Sequence, residues 1–309
     1  MEKEYPMSML DFEQWFRSEE ACREYVARLR WPSGFRCPRC GHDKAWRTTR
    51  RLWDCRRCGA DTSVITGTIF QDSKMPLRVW FRAMWWVTSQ KTGVSALGLQ
   101  RVLGLGSYRT AWVCLHKLRR AMVRPGRELL SGRVEVDEII IGGRQKGRGG
   151  RSLVGKSLVA VAAEVRGEGV GRIRLHKIPD ASEKSLTGFI RRTISPGSTV
   201  ITDGWPGYTG LDGFVHLPAA LSGRGQEAPS SVMPHVHRVA SLLKRWLMGT
   251  HQGRVSSEQL DFYLDEFVFR FNRRLSASRG MLFYRLMQQA VAIETVPVRR
   301  LISHSIGIT

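Results

Sequence analysis

Acidic residues are scarce in this 309-residue chain: 27 Asp and Glu stand against 49 Lys and Arg, a formal net charge of +22. Such a surplus favours binding a polyanion through phosphate contacts and counterion release. Nucleic acid is therefore the expected partner. An acidic membrane surface is the rival, disfavoured because no amphipathic basic helix dominates the chain. Also missing is an apolar run of the roughly 20 residues that a spanning helix needs. The longest cluster, "VWFRAMWWV" at 79–87, is short and carries Arg82. The stretch "MEKEYPMSMLDFEQW" lacks a signal-peptide pattern. The expectation is a cytoplasmic, nucleoid-associated protein with no membrane partner. Hydrophobic residues make up 42%, so the chain can build a core and wholesale disorder is excluded. The length allows two or three domains.

Cysteine is sparse too, with six in all, but four of them are patterned. Cys37 and Cys40 form "CPRC", Cys55 and Cys58 form "CRRC", and a glycine follows each pair. Zinc takes four soft ligands in a tetrahedron, and two CxxC knuckles deliver them from two tight turns. The glycines suit the positive φ such a turn needs. Between the pairs, "KAWRTTRRLWDC" alternates like a short hairpin, so one structural Zn²⁺ in a ribbon is expected. Redox pairs or disulfides are the competing readings, and two matched pairs in a cytoplasmic chain argue against both. Cys22 and Cys114 sit in apolar helical contexts and read as core residues.

A helical segment follows. "PLRVWFRAMWWVTSQ" starts with Pro76 at a first-turn position. "GVSALGLQRVLGLGSYRTAWVCLHKLRRAM" then reads as helix, glycine turn, helix, with Ser107 capping the second helix. This is the helix-turn-helix layout, whose second helix often lies in a major groove. Arg109, Lys117, Arg119 and Arg120 are its expected phosphate contacts. Many helix pairs bind no DNA, so the ribbon and the net charge carry part of this expectation.

From residue 133 the pattern becomes α/β. "RVEVDEIIIGG", "KSLVAVAAEV", "GRIRLHKI" and "STVITDG" read as strands by alternation and β-branched content, with "ASEKSLTGFIRRTI" a helix before the last. "GRSLVGKS" at 150–157 matches the phosphate-loop pattern letter for letter. That motif needs a strand before it and a helix after it. Here a Gly/Arg-rich run precedes and a strand-like run follows, so an NTPase is not expected.

The better constellation is acidic. Asp137 sits inside an apolar strand and Asp203 ends another, just before Gly204. A carboxylate there costs free energy unless it is paired or metal-bound. Brought together by neighbouring strands, the two would bind divalent cations suited to phosphodiester chemistry. The competing reading is that each merely turns or caps a strand end. Glu135 shares a face with Asp137 and is a candidate further lining. Glu138 points the other way and is expected no closer than the site's outer surroundings.

The order of ribbon, helical segment, "VEVDE…GG", "TDGWPGY", "HRVASLLKRWLMGTHQG" and "YLDEFVFRFNRR" resembles a bacterial insertion-sequence transposase family, over about residues 10 to 290. Its members pair an amino-terminal zinc ribbon with a DDE-type, ribonuclease-H-like catalytic core. The resemblance implies an α/β fold with an N-terminal ribbon region at 1–70, a helix-turn-helix-like segment at 71–126, a catalytic domain at 127–290 and a tail at 291–309. It also implies that Asp137 and Asp203 are the first two catalytic aspartates. The family's third position lies on a later helix and is often Glu. Aligning through "SLLKR" puts His237 there, with the family's basic residue seven places on at Lys244. Seven residues are close to two helical turns, so the two share a face.

Two departures stand out. Ile139 and Ile140 replace an expected Thr-Tyr pair, and His237 replaces the carboxylate. Imidazole suits Mn²⁺ or Zn²⁺ better than Mg²⁺. Glu227, Glu258, Glu266 and His235 are weaker candidates for that position; His237 is read as a functional substitute, with a structural or solvent-exposed histidine the competing reading. The implied cofactors are two divalent cations, Mg²⁺ or Mn²⁺, beside the ribbon's zinc. The implied activity is DNA cleavage and strand transfer, by a homo-oligomer on terminal-repeat and target DNA. Arg144, Lys146, Arg148 and Arg151 of "GGRQKGRGGR" would follow the DNA backbone. The alternatives are a non-catalytic DNA-binding relative and a nuclease of the same fold.

Overall fold

A computed structural model describes residues 4–124, 126–142, 156–219, 232–253, 255–294 and 297–302. The chain divides into two compact units, one made of Met1–Arg124 with Leu275–Thr309 and the other of Pro125–Arg274.

The first unit opens with helices α1 (Met9–Trp15) and α2 (Glu19–Arg30), capped by Ser8 and Ser18. A small antiparallel sheet follows, of β1 (Ala45–Arg47), β2 (Trp53–Cys55) and β3 (Asp61–Thr62); β1 and β2 form the expected hairpin, with Ala45 opposite Cys55. Helices α3 (Leu77–Ser89), α4 (Ala96–Leu103) and α5 (Tyr108–Ala121) come next. Pro76 precedes α3, which has no side-chain cap of its own. Instead the Glu19 carboxylate accepts the amides of Leu77 and Arg78, at 2.9 and 3.2 Å, satisfying two of the donors a helix start leaves open. Two last helices, α9 (Arg279–Ala292) and α10 (Val298–Ile302), also belong here; α7 (Pro234–His251) and α8 (Leu260–Asn272) lie in the second unit.

Helix α9 falls mostly inside the 127–290 range expected for a catalytic domain, while its packing is with the first unit. Phe283 of α9 is fully buried among Phe12, Phe16, Tyr25, Phe81 and Trp85, stacked on Tyr25 and in edge or tilted contact with the others. Gly280 lies so close to the Pro6 carbonyl that no Cβ fits. This aromatic cluster, contributed by α1, α2 and α3, is what α9 buries its apolar face against.

The second unit is a five-stranded sheet in the order β6-β5-β4-β7-β8, made of β4 (Arg133–Ile141), β5 (Ser157–Arg166), β6 (Gly169–Ile178), β7 (Thr199–Thr202) and β8 (Val215–Pro218). β4, β5 and β6 are antiparallel, while β7 and β8 run parallel to β4. Helix α6 (Glu183–Thr193) covers one face; α7 (Pro234–His251) and α8 (Leu260–Asn272) cover the other. The strands' period of two sorts the side chains. Val159, Val161 and Ala163 of β5 pack with Val236, Val239 and Leu243 of α7, whereas Ala160 and Ala162 pack with Leu186, Phe189 and Ile190 of α6. A mixed sheet with its antiparallel strands first and helices on both faces is the ribonuclease-H-like α/β arrangement expected. All four strand readings fall where the β-branched runs put them.

Candidate active site

In the parallel pairing of β4 with β7, Glu135 lies opposite Ile201. Two residues further on, the same register carries Asp137 to Asp203, one residue past the end of β7. The two aspartates found in separate apolar runs are thus neighbours by strand register, at the rim where ligands bind in open α/β sheets. Gly204 turns the chain away there with φ +78°, a conformation that suits glycine.

A carboxylate oxygen of Asp137, Glu138 and Asp203 each lies within 4.8 Å of the others. Asp137 Oδ1 accepts its neighbour's amide, Glu138 N, at 2.8 Å, and Asp203 Oδ1 accepts Trp205 N at 3.0 Å. Glu138 Oε2 accepts the hydroxyl of buried Tyr208 at 2.8 Å. Burial pushes the Asp137 carboxyl up to about 6, and the charge of Asp203 adds to it against the pull of the Glu138 amide and of Lys244. Burial also raises Glu138, although the Tyr208 bond favours its ionised form. A carboxylate cluster in which Asp137 and Glu138 resist ionisation fits a divalent cation, whose charge reverses that cost.

Glu138 corrects the sequence expectation. Strand alternation sends it to the α6 face, away from Asp137, and Tyr208 on that face holds it. Beyond Glu135, however, β4 pairs with no strand on the β7 side among the described residues. Side chains from both faces can therefore reach the same open edge. The signal available in the sequence was the Asp-Glu doublet itself.

Glu135, read as a further acidic lining, is something else. It is 3% exposed, and Oε2 accepts the amides of His235 and Val236, each at 2.8 Å, while Oε1 stands 2.6 Å from His235 Nδ1. It caps α7 from the strand, since Met233 makes no side-chain cap. His237 follows in the first turn of α7, with Nδ1 3.8 Å from Asp137 Oδ2. Its Nε2 is buried and has no hydrogen-bond partner among the described residues. His237 lies beside the carboxylate trio rather than within it. Lys244, on the same face two turns on, is exposed at the wall of a cleft of about 510 Å³ lined also by Ile140, Gly142, Ser157 and Met248.

In the ribbon, Cys37, Cys40, Cys55 and Cys58 converge, with Cys37 Sγ 3.7 Å from Cys58 Sγ and Cys40 Sγ 3.6 Å from Cys55 Sγ. Zinc with arms of about 2.3 Å sets tetrahedral S–S edges of about 3.8 Å, whereas a disulfide needs about 2.05 Å. The four fit a structural zinc. The knuckles repeat one another: Gly41 N donates to Cys37 O and Gly59 N to Cys55 O, both at 2.9 Å, with φ +72° and +61°. Burial opposes ionisation of Cys37, but the amides of Cys40 and Arg39 and the neighbouring sulfurs outweigh it and bring the thiol down to about 7.

The basic residues sort less well. The helix pair is present, turned by Gly104 at φ +61° and with Ser107 Oγ accepting Thr110 N at 3.1 Å. Arg109 is exposed in the first turn of α5, and Arg120 is half-buried. Lys117 and Arg119 are corrected: they are 4% and 2% exposed and unable to meet a phosphate. The Lys117 ammonium donates to the carbonyls of Ile69 and Gln71 at 3.0 and 2.8 Å, and Arg119 Nη1 lies 3.4 Å from His116 Nε2. Arg144, Lys146, Arg148 and Arg151, with most of the phosphate-loop lookalike, lie outside the described residues.

Comparison with known proteins bears on the same two regions. An ISXO2-like transposase domain matches residues 129–272, and a transposase zinc-ribbon domain matches residues 17–61. A protein of Halobacterium salinarum, described as an uncharacterized protein in transposable element ISH50, is 30% identical over 283 residues, 82% of this chain and 91% of its own. The chain belongs to the ISXO2-like transposase family. No solved structure matches. The transposase domain match spans β4 to the end of α8 and so contains every side chain of the acidic rim, His237 and Lys244. It stops at 272, just short of where the second unit ends. Among the described residues no helix is long and apolar enough to cross a membrane.

Proposed function

We propose that this chain is the transposase of an insertion sequence, which binds the element's ends, cuts DNA there and joins the freed 3′-hydroxyl to target DNA. The observation that carries this reading is the trio Asp137, Glu138 and Asp203 at the rim of a DDE-type domain in a chain of net charge +22. The trio offers only hard oxygen donors, which suit Mg²⁺ or Mn²⁺. Asp137 and Asp203 hold two divalent cations, His237 completes the set from α7, and Glu138 adds an oxygen braced by Tyr208. Bound cations supply charge stabilisation at the phosphoryl oxygens and an activated oxygen nucleophile. The protein's own part is to hold these groups rigidly, so that little reorganisation accompanies reaction. Lys244 takes a nearby DNA phosphate, on the helix face it shares with His237.

Arg109, Arg120 and the ribbon bind the element's ends, and Arg144, Lys146, Arg148 and Arg151 follow the backbone. Two ends have to be held together, so a dimer or larger assembly forms on DNA. The test is a cleavage and strand-transfer assay on the element's own end DNA. It compares wild type with Asp203→Asn, His237→Ala and Glu138→Gln in Mg²⁺ and in Mn²⁺. Joined strands from wild type and none from Asp203→Asn or His237→Ala support the reading. Cleaved ends without joining point to a nuclease. Full activity in His237→Ala with loss in Glu138→Gln moves the third ligand from α7 to β4.

A further inference from the structure

The segment after the second aspartate, "DGWPGY", places each of its larger side chains. Asp203 enters the acidic rim and Tyr208, fully buried, braces Glu138. Between them Trp205 turns outward and is 39% exposed, beside the acidic rim. Three constraints fix its position. Its amide donates to Asp203 Oδ1 at 3.0 Å, and its indole Nε1 donates to the carbonyl of Ala181 at 3.0 Å. Gly207 makes the space, because a Cβ there would stand 2.9 Å from the indole Cδ1 and 2.5 Å from the Ala181 oxygen.

We infer that Trp205 is a stacking platform for the unpaired nucleobase next to the phosphate being cut. This inference rests on the transposase reading and adds a base-binding position to it. Aromatic faces stack on any base and hold single-stranded nucleic acid without reading its sequence. The backbone bond from Trp205 N to Asp203 Oδ1 ties the base's position to the reacting phosphate, since the accepting atom belongs to the rim itself. A base leaving the duplex beside the cut would thus be caught by a surface already in place. Pre-positioning of this kind spares the ordering of a flexible side chain on binding.

The experiment uses the full chain and duplexes from the element's ends, each with one abasic position near the cleavage site. Affinity and single-turnover cleavage are measured for wild type, Trp205→Ala and Trp205→Phe, with thermal unfolding as the control for folding. The expected result is a loss of about tenfold for Trp205→Ala on intact DNA, with most of it recovered in Trp205→Phe. One or two abasic positions flanking the cut should cost wild type a similar factor and cost Trp205→Ala nothing further. Losses that multiply at every abasic position, or a Trp205→Ala variant equal to wild type, overturn the inference while the transposase reading stands. A wild type that neither binds nor cleaves end DNA overturns both.

Discussion

Replacing Asp137 by Asn should make the cation-free protein more stable above neutral pH. The folded chain raises this carboxyl from 3.8 to about 6, chiefly by burial. A carboxyl whose folded pKa lies above its unfolded one binds protons more tightly when folded. Its contribution to stability therefore falls as pH rises from about 3.8 through about 6 and stays low beyond. The rise corresponds to about 3 kcal/mol at pH 8, and the side chain is only 14% exposed, so screening by solvent takes little of it away. Asn keeps an oxygen for the Glu138 amide and carries no charge. The transition of the Pro125–Arg274 unit should rise by up to about 10 °C, and the gain should fall by about half at pH 5. Calorimetry in buffers freed of divalent cations by dialysis reads this; a strong chelator is avoided because it would strip the ribbon. Millimolar Mn²⁺ should stabilise wild type and leave the variant unmoved. An Asn variant no more stable than wild type at pH 8 without cations would refute the account of Asp137 as a charge held at a cost.

Four further outcomes are expected. Tyr208→Phe removes a bond that favours ionised Glu138, so the acidic limb of the pH–rate profile should move to higher pH; an unmoved limb would separate Glu138 from the reaction. Lys117→Met should lower stability by about 1–3 kcal/mol, from two buried carbonyls left without a donor, and leave DNA affinity unchanged. Arg109→Ala should do the reverse and reduce the salt dependence of binding by about one phosphate contact; denaturant titration and binding across a salt series distinguish them. Cys40→Ala should lower bound zinc below one per chain by atomic absorption and weaken end binding, while the unfolding transition of Pro125–Arg274 persists.

The parts of the fold that were legible in sequence are those with a strong period. The CxxC spacing, the four strands and the two aspartates inside apolar runs each follow from a pattern that chemistry makes expensive to violate. The errors arose where a pattern describes one element and the outcome depends on two. Alternation along β4 sends Glu138 away from Asp137, and only the end of β7 opens the edge at which they meet. Lys117 and Arg119 stand in a basic run and read as surface. Yet Lys117 lies three residues after Cys114 and four before Ala121, on the margin of the buried stripe, and the carbonyls that receive it come from residues 69 and 71. Helix α9 carried no mark of which unit would supply its aromatic partners.

Glu135 bears on how such sites are found in unaligned chains. It stands two residues before Asp137 on the same strand face and grips the first amides of α7. The distance from the first aspartate to the residue on α7 is therefore set by a tie of a few bonds, whatever length of chain separates them. In this sequence 33 residues lie between positions 203 and 237, a separation that a fixed-gap motif has no reason to find again in another member. Insertions in that interval should leave the spacing of Asp137 and His237 intact. A buried glutamate two places before the first aspartate is the better landmark, because it marks where the incoming helix has to begin.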